Sequence, residues 1–441
     1  MNVERNINET NFNDRTDIFG MKTLFDEHFK VLTKDLDQIL TDNGYDQLLV
    51  YSGGLKMQFA NDLPYPFMVN TYFKMFLPGE TNPNCWVIWR VEQKPILLFY
   101  QPEDFWHFVP ELDLDFWSNY YEIHRVKKPD EAERNFGNTT ACAFLGEIDD
   151  LVSGWSLGER NPDSIIAAIN WQRSYKSLFE QACIQKANEI SAKGHFAAKE
   201  AFYAGASELE ISLEFQRACQ LDEFRLAHQP VVGINEHTGI LHYIERDTNR
   251  LSKAKLHSLL IDAGASYLGY ASDITRTYSY KDHEFGELIR ALDSRQQQLV
   301  REIQLGQSFQ DINTRSKLLC ASILKEFDIV YSTPESTLET GLIESFYPHG
   351  VGHFLGLQPH DVAGLRSFES NFVFTIEPGI YFIPMLLNKL AQSELKNEVN
   401  WDKVKNMLPF GGVRIEDDVL MTETGPVNLT RQAFNSVNKK N

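Results

Sequence analysis

Residues 345–379 read SFYPHGVGHFLGLQPHDVAGLRSFESNFVFTIEPG. His349, His353 and His360 are interleaved with Gly350, Gly352 and Gly356, and Glu377 closes the run just before Pro378-Gly379. Ionisable groups set among Val, Phe, Leu and Ile are costly to bury unless they are paired or bound to a cation. His349 and His353 are four apart, the spacing of a metal pair on a helix. The glycines make a helix unfavourable there, so a turn that brings backbone close to a ligand is expected instead. In NFVFTIEPG, Phe372, Phe374 and Ile376 alternate with Val373, Thr375 and Glu377. A strand would therefore point Glu377 away from the Phe stripe, at an end punctuated by Pro-Gly.

Partners for these groups occur on both sides of the stretch. Asp262 follows the apolar run SLLI, and Asp273 lies eleven residues on. A hairpin pairing 262 with 273, 264 with 271 and 266 with 269, turning at Tyr267-Leu268, puts both carboxylates on one face. Two anions so close are favourable only around a shared cation. In GGVRIEDDVL (411–420), Val413, Ile415 and Val419 share one face while Arg414, Glu416 and Asp418 share the other. Arg414 and Glu416 are placed to form an ion pair.

The set is then Asp262, Asp273, Glu377 and Glu416, with His353 or His349 as the one imidazole. Oxygen-rich ligation with a single nitrogen favours a hard divalent ion such as Mn²⁺ over a thiolate-type zinc site. Four carboxylates neutralise two divalent ions, and two ions roughly 3.5–4 Å apart hold a bridging hydroxide and polarise a scissile carbonyl. Side-chain chemistry alone thus reaches a dinuclear metallohydrolase.

At 441 residues the chain is too long for one ordinary domain. A net charge of −19 argues against nucleic-acid and anionic-membrane partners, both of which need basic patches. No apolar run approaches the roughly 20 residues of a membrane span. Cys85, Cys142, Cys183, Cys219 and Cys320 are odd in number and widely spaced, which points to buried, reduced thiols and a cytoplasmic protein. Residues 1–20 are polar and Asn-rich and read as a flexible tail, with Met21 an alternative start.

Apolar spacing predicts a helix over 23–43, ended by Asn43-Gly44. Strands are expected at 48–53, 85–91 and 95–100. The aromatic-rich stretch 101–124 reads as packing under a long loop or at a subunit interface. One long helix is expected over 169–205, closed by Gly205, and Ser207 with Glu210 forms the capping box of the next. Strands follow at 230–235, 240–244, 258–265, 269–280, 371–382 and 411–421, with helices near 284–304 and 309–327. The expected organisation is α+β, with a small α/β domain over 21–165 and a catalytic domain over 166–441.

The order IDAGASYLGYASDITRTY, HGVGHFLGLQPHD, TIEPGIYF and GGVRIEDD resembles the pita-bread metallopeptidases. Within them it resembles the bacterial Xaa-Pro dipeptidase (prolidase) and organophosphorus acid anhydrolase group. YSGGLKMQFANDLPYPFMVNTYFKMFLP and FYQPEDFWHFVPE extend the likeness to the N-terminal part. The resemblance implies a creatinase/aminopeptidase-like catalytic domain and two divalent ions held by Asp262, Asp273, His353, Glu377 and Glu416. It implies Asp273 and Glu416 as the bridging carboxylates and Glu377 as general base and acid. His349 and His360 would bind substrate and stabilise the tetrahedral intermediate, and His242 would line the pocket. Arg414 would orient the bridging Glu and meet the substrate's carboxylate. The implied substrate is a small Xaa-Pro dipeptide and the implied assembly a homodimer, with Asp62 reaching the neighbouring subunit's pocket.

This chain departs from that group in three places. Only fifteen residues separate Asp361 from Glu377, where prolidases carry a longer loop lining the pocket. His228 and Phe309 stand where pocket tyrosines are expected, which makes both candidate substrate-binding residues. An altered pocket leaves two further readings: the same metal chemistry on another amide or an organophosphate ester, or a non-catalytic binding module.

Overall fold

In the computed structural model of the chain, residues 17–79, 81–109, 112, 116–222, 224–362 and 366–439 are described. The chain divides into two compact units, Met1–Gln172 with Ser177–Ala182 and Arg173–Lys176 with Cys183–Asn441.

In the first unit, α1 (Asp17–Asp42) buries Met21, Phe25, Phe29, Leu32, Leu36, Ile39 and Leu40, one stripe at three- and four-residue spacing. Gly44, at φ +79°, ends it: the Gly44 and Tyr45 N–H groups return to the carbonyls of Thr41 and Leu40. The helix starts inside the expected tail, because Met21 and Phe25 already belong to the buried stripe. Residues 1–16 lie outside the described residues. The sheet contains β1 (Gln47–Tyr51), β2 (Trp86–Arg90), β3 (Ile96–Tyr100), β4 (Glu122–Val126), β5 (Cys142–Leu145) and β6 (Glu159–Arg160) in the order β4-β3-β2-β1-β5-β6. A short α2 (Thr71–Phe76) precedes β2. β1 is buried along its whole length, as a central strand must be.

Among the described residues, the first half of the 101–124 segment does not pack under a loop of this chain, and its exposed rings are what the subunit-interface alternative expects. Phe105, Trp106 and Phe108 are 85, 79 and 89% exposed, around a turn in which Asp104 accepts the Trp106 N–H. Among the described residues its last part packs inward, through Phe116 against Phe25 and Phe179 and through buried Trp117. Residues 110, 111 and 113–115 lie outside the described residues.

The single helix expected over 169–205 is two, α3 (Asp163–Ser174) and α4 (Leu178–Ala204). Ser177 starts the second with reciprocal bonds to Glu180. Gly205 (φ +88°) then leads into α5 (Glu208–Cys219), which carries the Ser207/Glu210 capping box as expected.

The second unit continues with β7 (Val231–Ile234), β8 (Ser258–Asp262), β9 (Ser266–Tyr267), β10 (Tyr270–Ala271) and β11 (Thr275–Ser279). The segment 240–244 is not a strand. Tyr243 turns inward to donate to buried Glu208 while Ile240, His242 and Ile244 stay exposed. Helices α6 (Glu284–Glu302), α7 (Phe309–Glu326) and α8 (Pro334–Glu339) follow. Next come β12 (Val373–Ile376), β13 (Gly379–Tyr381), α9 (Pro384–Ala391), α10 (Trp401–Met407), β14 (Gly412–Arg414), β15 (Asp417–Thr422), β16 (Gly425–Asn428) and α11 (Leu429–Asn438).

Two ladders position the site. β8 and β11 pair Asp262 with Thr275, and the hairpin turns at Leu268-Gly269, both at positive φ. The expected register is therefore off by two residues. A shift of two preserves the face, so Asp262 and Asp273 still point the same way. β12 pairs with β15 and β13 with β14, and both ladders obey one register: 376 opposes 417 and 379 opposes 414. Between them the ladder is interrupted, and Glu377 falls opposite Glu416. The apolar faces diverge at the same break. Phe372, Phe374, Ile376 and Val419 join one core, and Ile380, Val413 and Ile415 join another.

Candidate metal centre

The histidine stretch lies antiparallel along β12. Leu355 N–H donates to Val373 O, Thr375 N–H to His353 O and Glu377 N–H to Val351 O. Thus 351–355 is a short extended segment rather than the expected turn. Gly352 permits it, since a Cβ there would lie 2.0 Å from the Thr375 carbonyl oxygen.

The convergence is tight. His353 Nε2 lies 3.7 Å from Asp273 Oδ2, 3.6 Å from Glu377 Oε1 and 3.9 Å from Glu416 Oε1. Candidate donor atoms of Asp273, His353 and Glu416 form one cluster, and those of His228, Asp262 and Asp273 form another, each spanning no more than 4.8 Å. Asp273 belongs to both. The structure thus brings together Asp262, Asp273, His353, Glu377 and Glu416, and adds His228.

The electrostatics show an excess of buried negative charge. Burial, then the charges of Asp273, Glu377 and Asp262, pushes Glu416 well above the usual carboxylate range. Burial likewise raises Glu377 to about 7. Burial would raise Asp273 too, but the close contact and charge of His228 together with the charges of His353 and His360 outweigh it and hold the group at about 2. Asp262 Oδ1 and His228 Nε2 are buried without a hydrogen bond. Such a donor set fits divalent cations, which would neutralise the carboxylates and occupy the orphaned atoms.

Around these groups lies a layer of hydrogen bonds that motif spacing does not single out. Arg414 donates from Nη2 to Asp262 Oδ2 (2.7 Å), from Nε to Thr275 Oγ1 (3.1 Å) and from Nη1 to Tyr381 Oη (3.0 Å). Thr275 in turn donates to Glu416 Oε2 at 2.6 Å. The expected Arg414–Glu416 pair is therefore indirect: the ion pair is with Asp262, and Thr275 relays the contact to Glu416. Tyr381, four residues after Glu377, donates to His349 Nε2 at 2.8 Å, while His349 Nδ1 donates to the Gly350 carbonyl. With burial and the Arg414 charge lowering it to about 3, His349 is a neutral imidazole of fixed tautomer. Asp418 accepts the Asp273 backbone N–H, and Asn188 holds Asp418 in place.

The remaining candidates are spread more widely. His360 is exposed and stacks on His353 with ring centroids 4.0 Å apart; burial and the His353 charge lower its pKa. Next to it, Asp361 is gripped by Arg173 and Lys176. His242 is exposed, and its charge acts on both His349 and His360. Phe309 is not brought to the carboxylates: its ring packs in the core against Phe354, Phe368 and Phe374. In the short link 361–376, Phe368 joins that core, and residues 363–365 lie outside the described residues. Asp62 is exposed in the first unit. All five cysteines are buried, and no disulfide occurs among the described residues. No helix there is long and apolar enough to cross a membrane.

Comparison with known proteins accords with this geometry. Residues 23–171 match the Xaa-Pro dipeptidase N-terminal domain, and residues 182–423 match metallopeptidase family M24. A Xaa-Pro dipeptidase of Aeromonas hydrophila is 38% identical over 432 residues, covering 93% of this chain and 98% of that protein. One from Shewanella woodyi is 39% identical over 429 residues, covering 92% and 97%. One from Stenotrophomonas maltophilia is 38% identical over 438 residues, covering 94% and 98%. Among solved structures, E. coli aminopeptidase P with the inhibitor Pro-Leu superposes with a TM-score of 0.71 at 22% identity, covering 92% of this chain and 98% of that one. That likeness establishes the pita-bread fold with its N-terminal domain. The chain belongs to metallopeptidase family M24.

Proposed function

We propose that this protein hydrolyses Xaa-Pro dipeptides at a dinuclear centre held by Asp262, Asp273, His353, Glu377 and Glu416. The observation that carries this reading is the pair of clusters sharing Asp273, whose carboxylates are too many to be buried together without cations. The Xaa-Pro dipeptidase names of relatives about 38% identical support the substrate class. Two divalent ions there, with Mn²⁺ favoured by the oxygen-rich set, would acidify a water nucleophile and polarise the scissile carbonyl.

The chain's own groups supply the rest. Glu377, raised to about 7 by burial, can accept the water's proton and return it to the leaving amine. His360, exposed beside His353, would donate to the oxygen on which charge develops. His349, fixed by Tyr381 and Gly350, and exposed His242 would bind the dipeptide from the other side. Arg414 is a positioning residue, since Asp262, Thr275 and Tyr381 engage all three of its nitrogens. Asp62 would complete the pocket of a neighbouring subunit in a homodimer, and the protein would act in the cytoplasm.

Hydrolysis of Gly-Pro and Leu-Pro is measured on Mn²⁺-loaded protein, after chelation and after Mn²⁺ is restored. Activity should vanish and return. Full activity after complete metal removal contradicts the mechanism. Turnover of another amide or of a phosphotriester, with none of any Xaa-Pro dipeptide, contradicts the substrate.

A further inference from the structure

His228 stands where the resemblance leads one to expect a tyrosine, and the structure does not place it as a simple pocket residue. Its loop is pinned against the carboxylate-bearing segment: Leu226 bridges Ala265, and Ala227 N–H donates to Gly264 O. Gly264 allows this approach, because a Cβ there would lie 1.8 Å from Ser272 O and 3.1 Å from the Ala227 Cβ. His228 Nε2 thereby arrives 3.1 Å from Asp273 Oδ1 and 3.5 Å from Asp262 Oδ1.

Two details resemble those of His353, and a third concerns His228 and Asp262 alone. His228 Nδ1 lies 3.1 Å from the carbonyl oxygen of the next residue, Gln229, and His353 Nδ1 lies 3.1 Å from that of Phe354. A carbonyl only accepts, so Nδ1 carries a hydrogen in both rings; with a cation bound among the carboxylates, Nε2 would give up its proton and present its lone pair to that cation. The two oxygens of Asp273 divide between the rings, Oδ1 facing His228 and Oδ2 facing His353. Finally, His228 Nε2 and Asp262 Oδ1 are buried close together yet neither makes a hydrogen bond, which is costly unless something else occupies the space between them.

We propose that His228 is a sixth protein ligand of the centre, so that each of the two ions has one imidazole: His228 with Asp262 and Asp273 on one, His353 with Asp273, Glu377 and Glu416 on the other. This rests on the dinuclear reading above. A nitrogen at both positions weakens the preference for Mn²⁺ and admits borderline ions such as Co²⁺ and Zn²⁺.

The test is X-ray absorption on Co²⁺-loaded full-length protein at two ions per chain, where imidazole scattering counts the histidines. Wild type should show one imidazole per ion on average. His228→Phe should halve that count and weaken the looser ion about 10- to 100-fold in equilibrium titration, and His353→Ala should also halve it. One imidazole shared over two ions in wild type overturns the proposal without any variant, as does a count unchanged in His228→Phe. Failure of the wild type to bind two ions instead overturns the dinuclear reading and this ligand with it.

Discussion

Glu416 and Asp417 are adjacent, both buried, and electrostatically opposite. Burial alone would raise Asp417, but Arg276 and Arg431 outweigh it and, with Asn428, hold the group at about 2. Glu416 faces Asp273, Glu377 and Asp262, has Thr275 as its one direct side-chain donor among the described residues, and is pushed well above its ordinary range. The chain matches one carboxylate with two arginines, and leaves the other outweighed by three neighbouring carboxylates despite Arg414. A buried anion matched by protein cations is structural. An uncompensated cluster of anions in a folded chain marks a place for charge from outside.

The largest effect that can break this contrast is on chemistry. Asp273→Asn and Glu416→Gln should each lower kcat/KM for Gly-Pro by roughly a thousandfold or more, about 4 kcal/mol of barrier, while circular dichroism stays native. Next comes stability. Asp417→Asn leaves Arg276 and Arg431 without their shared anion and should cost ~3–5 kcal/mol, read as a lower unfolding temperature, yet the folded fraction should still hydrolyse Gly-Pro.

The pH dependence of the metal-free protein sharpens the same comparison. Asp417 titrates lower in the folded chain than in the unfolded one, so its contribution is full above about pH 4 and is lost as pH falls toward 2, ~2 kcal/mol in all. Glu377 titrates higher when folded, so it favours the folded state below about pH 4 and loses that contribution as pH rises through about 7. Metal-free protein should therefore be most stable near pH 4–5 in thermal melts. Asp417→Asn should flatten the acid limb and Glu377→Gln the upper one. The smallest effect is at Tyr381: Tyr381→Phe removes the hydroxyl between Arg414 and His349 and should cost about tenfold in kcat, with metal content unchanged.

The sequence made much of this legible, for identifiable reasons. Strand alternation located Glu377 away from the Phe stripe, and face parity survived the two-residue error in the Asp262/Asp273 hairpin because the side-chain period is two. Local patterns could not show that the 377 and 416 positions oppose each other, since that depends on pairing between strands some forty residues apart. Tyr381 and Thr275 act through neighbours in space, and a hydroxyl within an apolar strand carries no motif. His228 was visible as a departure, but its direction depends on the backbone approach that Gly264 permits. Phe309 shows the converse limit: its position suggested a pocket, and its apolar ring found the core.

Equilibrium titration of Mn²⁺ into wild type, Asp417→Asn and Glu416→Gln tests most directly whether the uncompensated carboxylates form a dinuclear centre. Two ions per chain should bind to wild type and to folded Asp417→Asn, and at most one to Glu416→Gln. Equal stoichiometry in Glu416→Gln and wild type, or no tight binding to wild type, would contradict it.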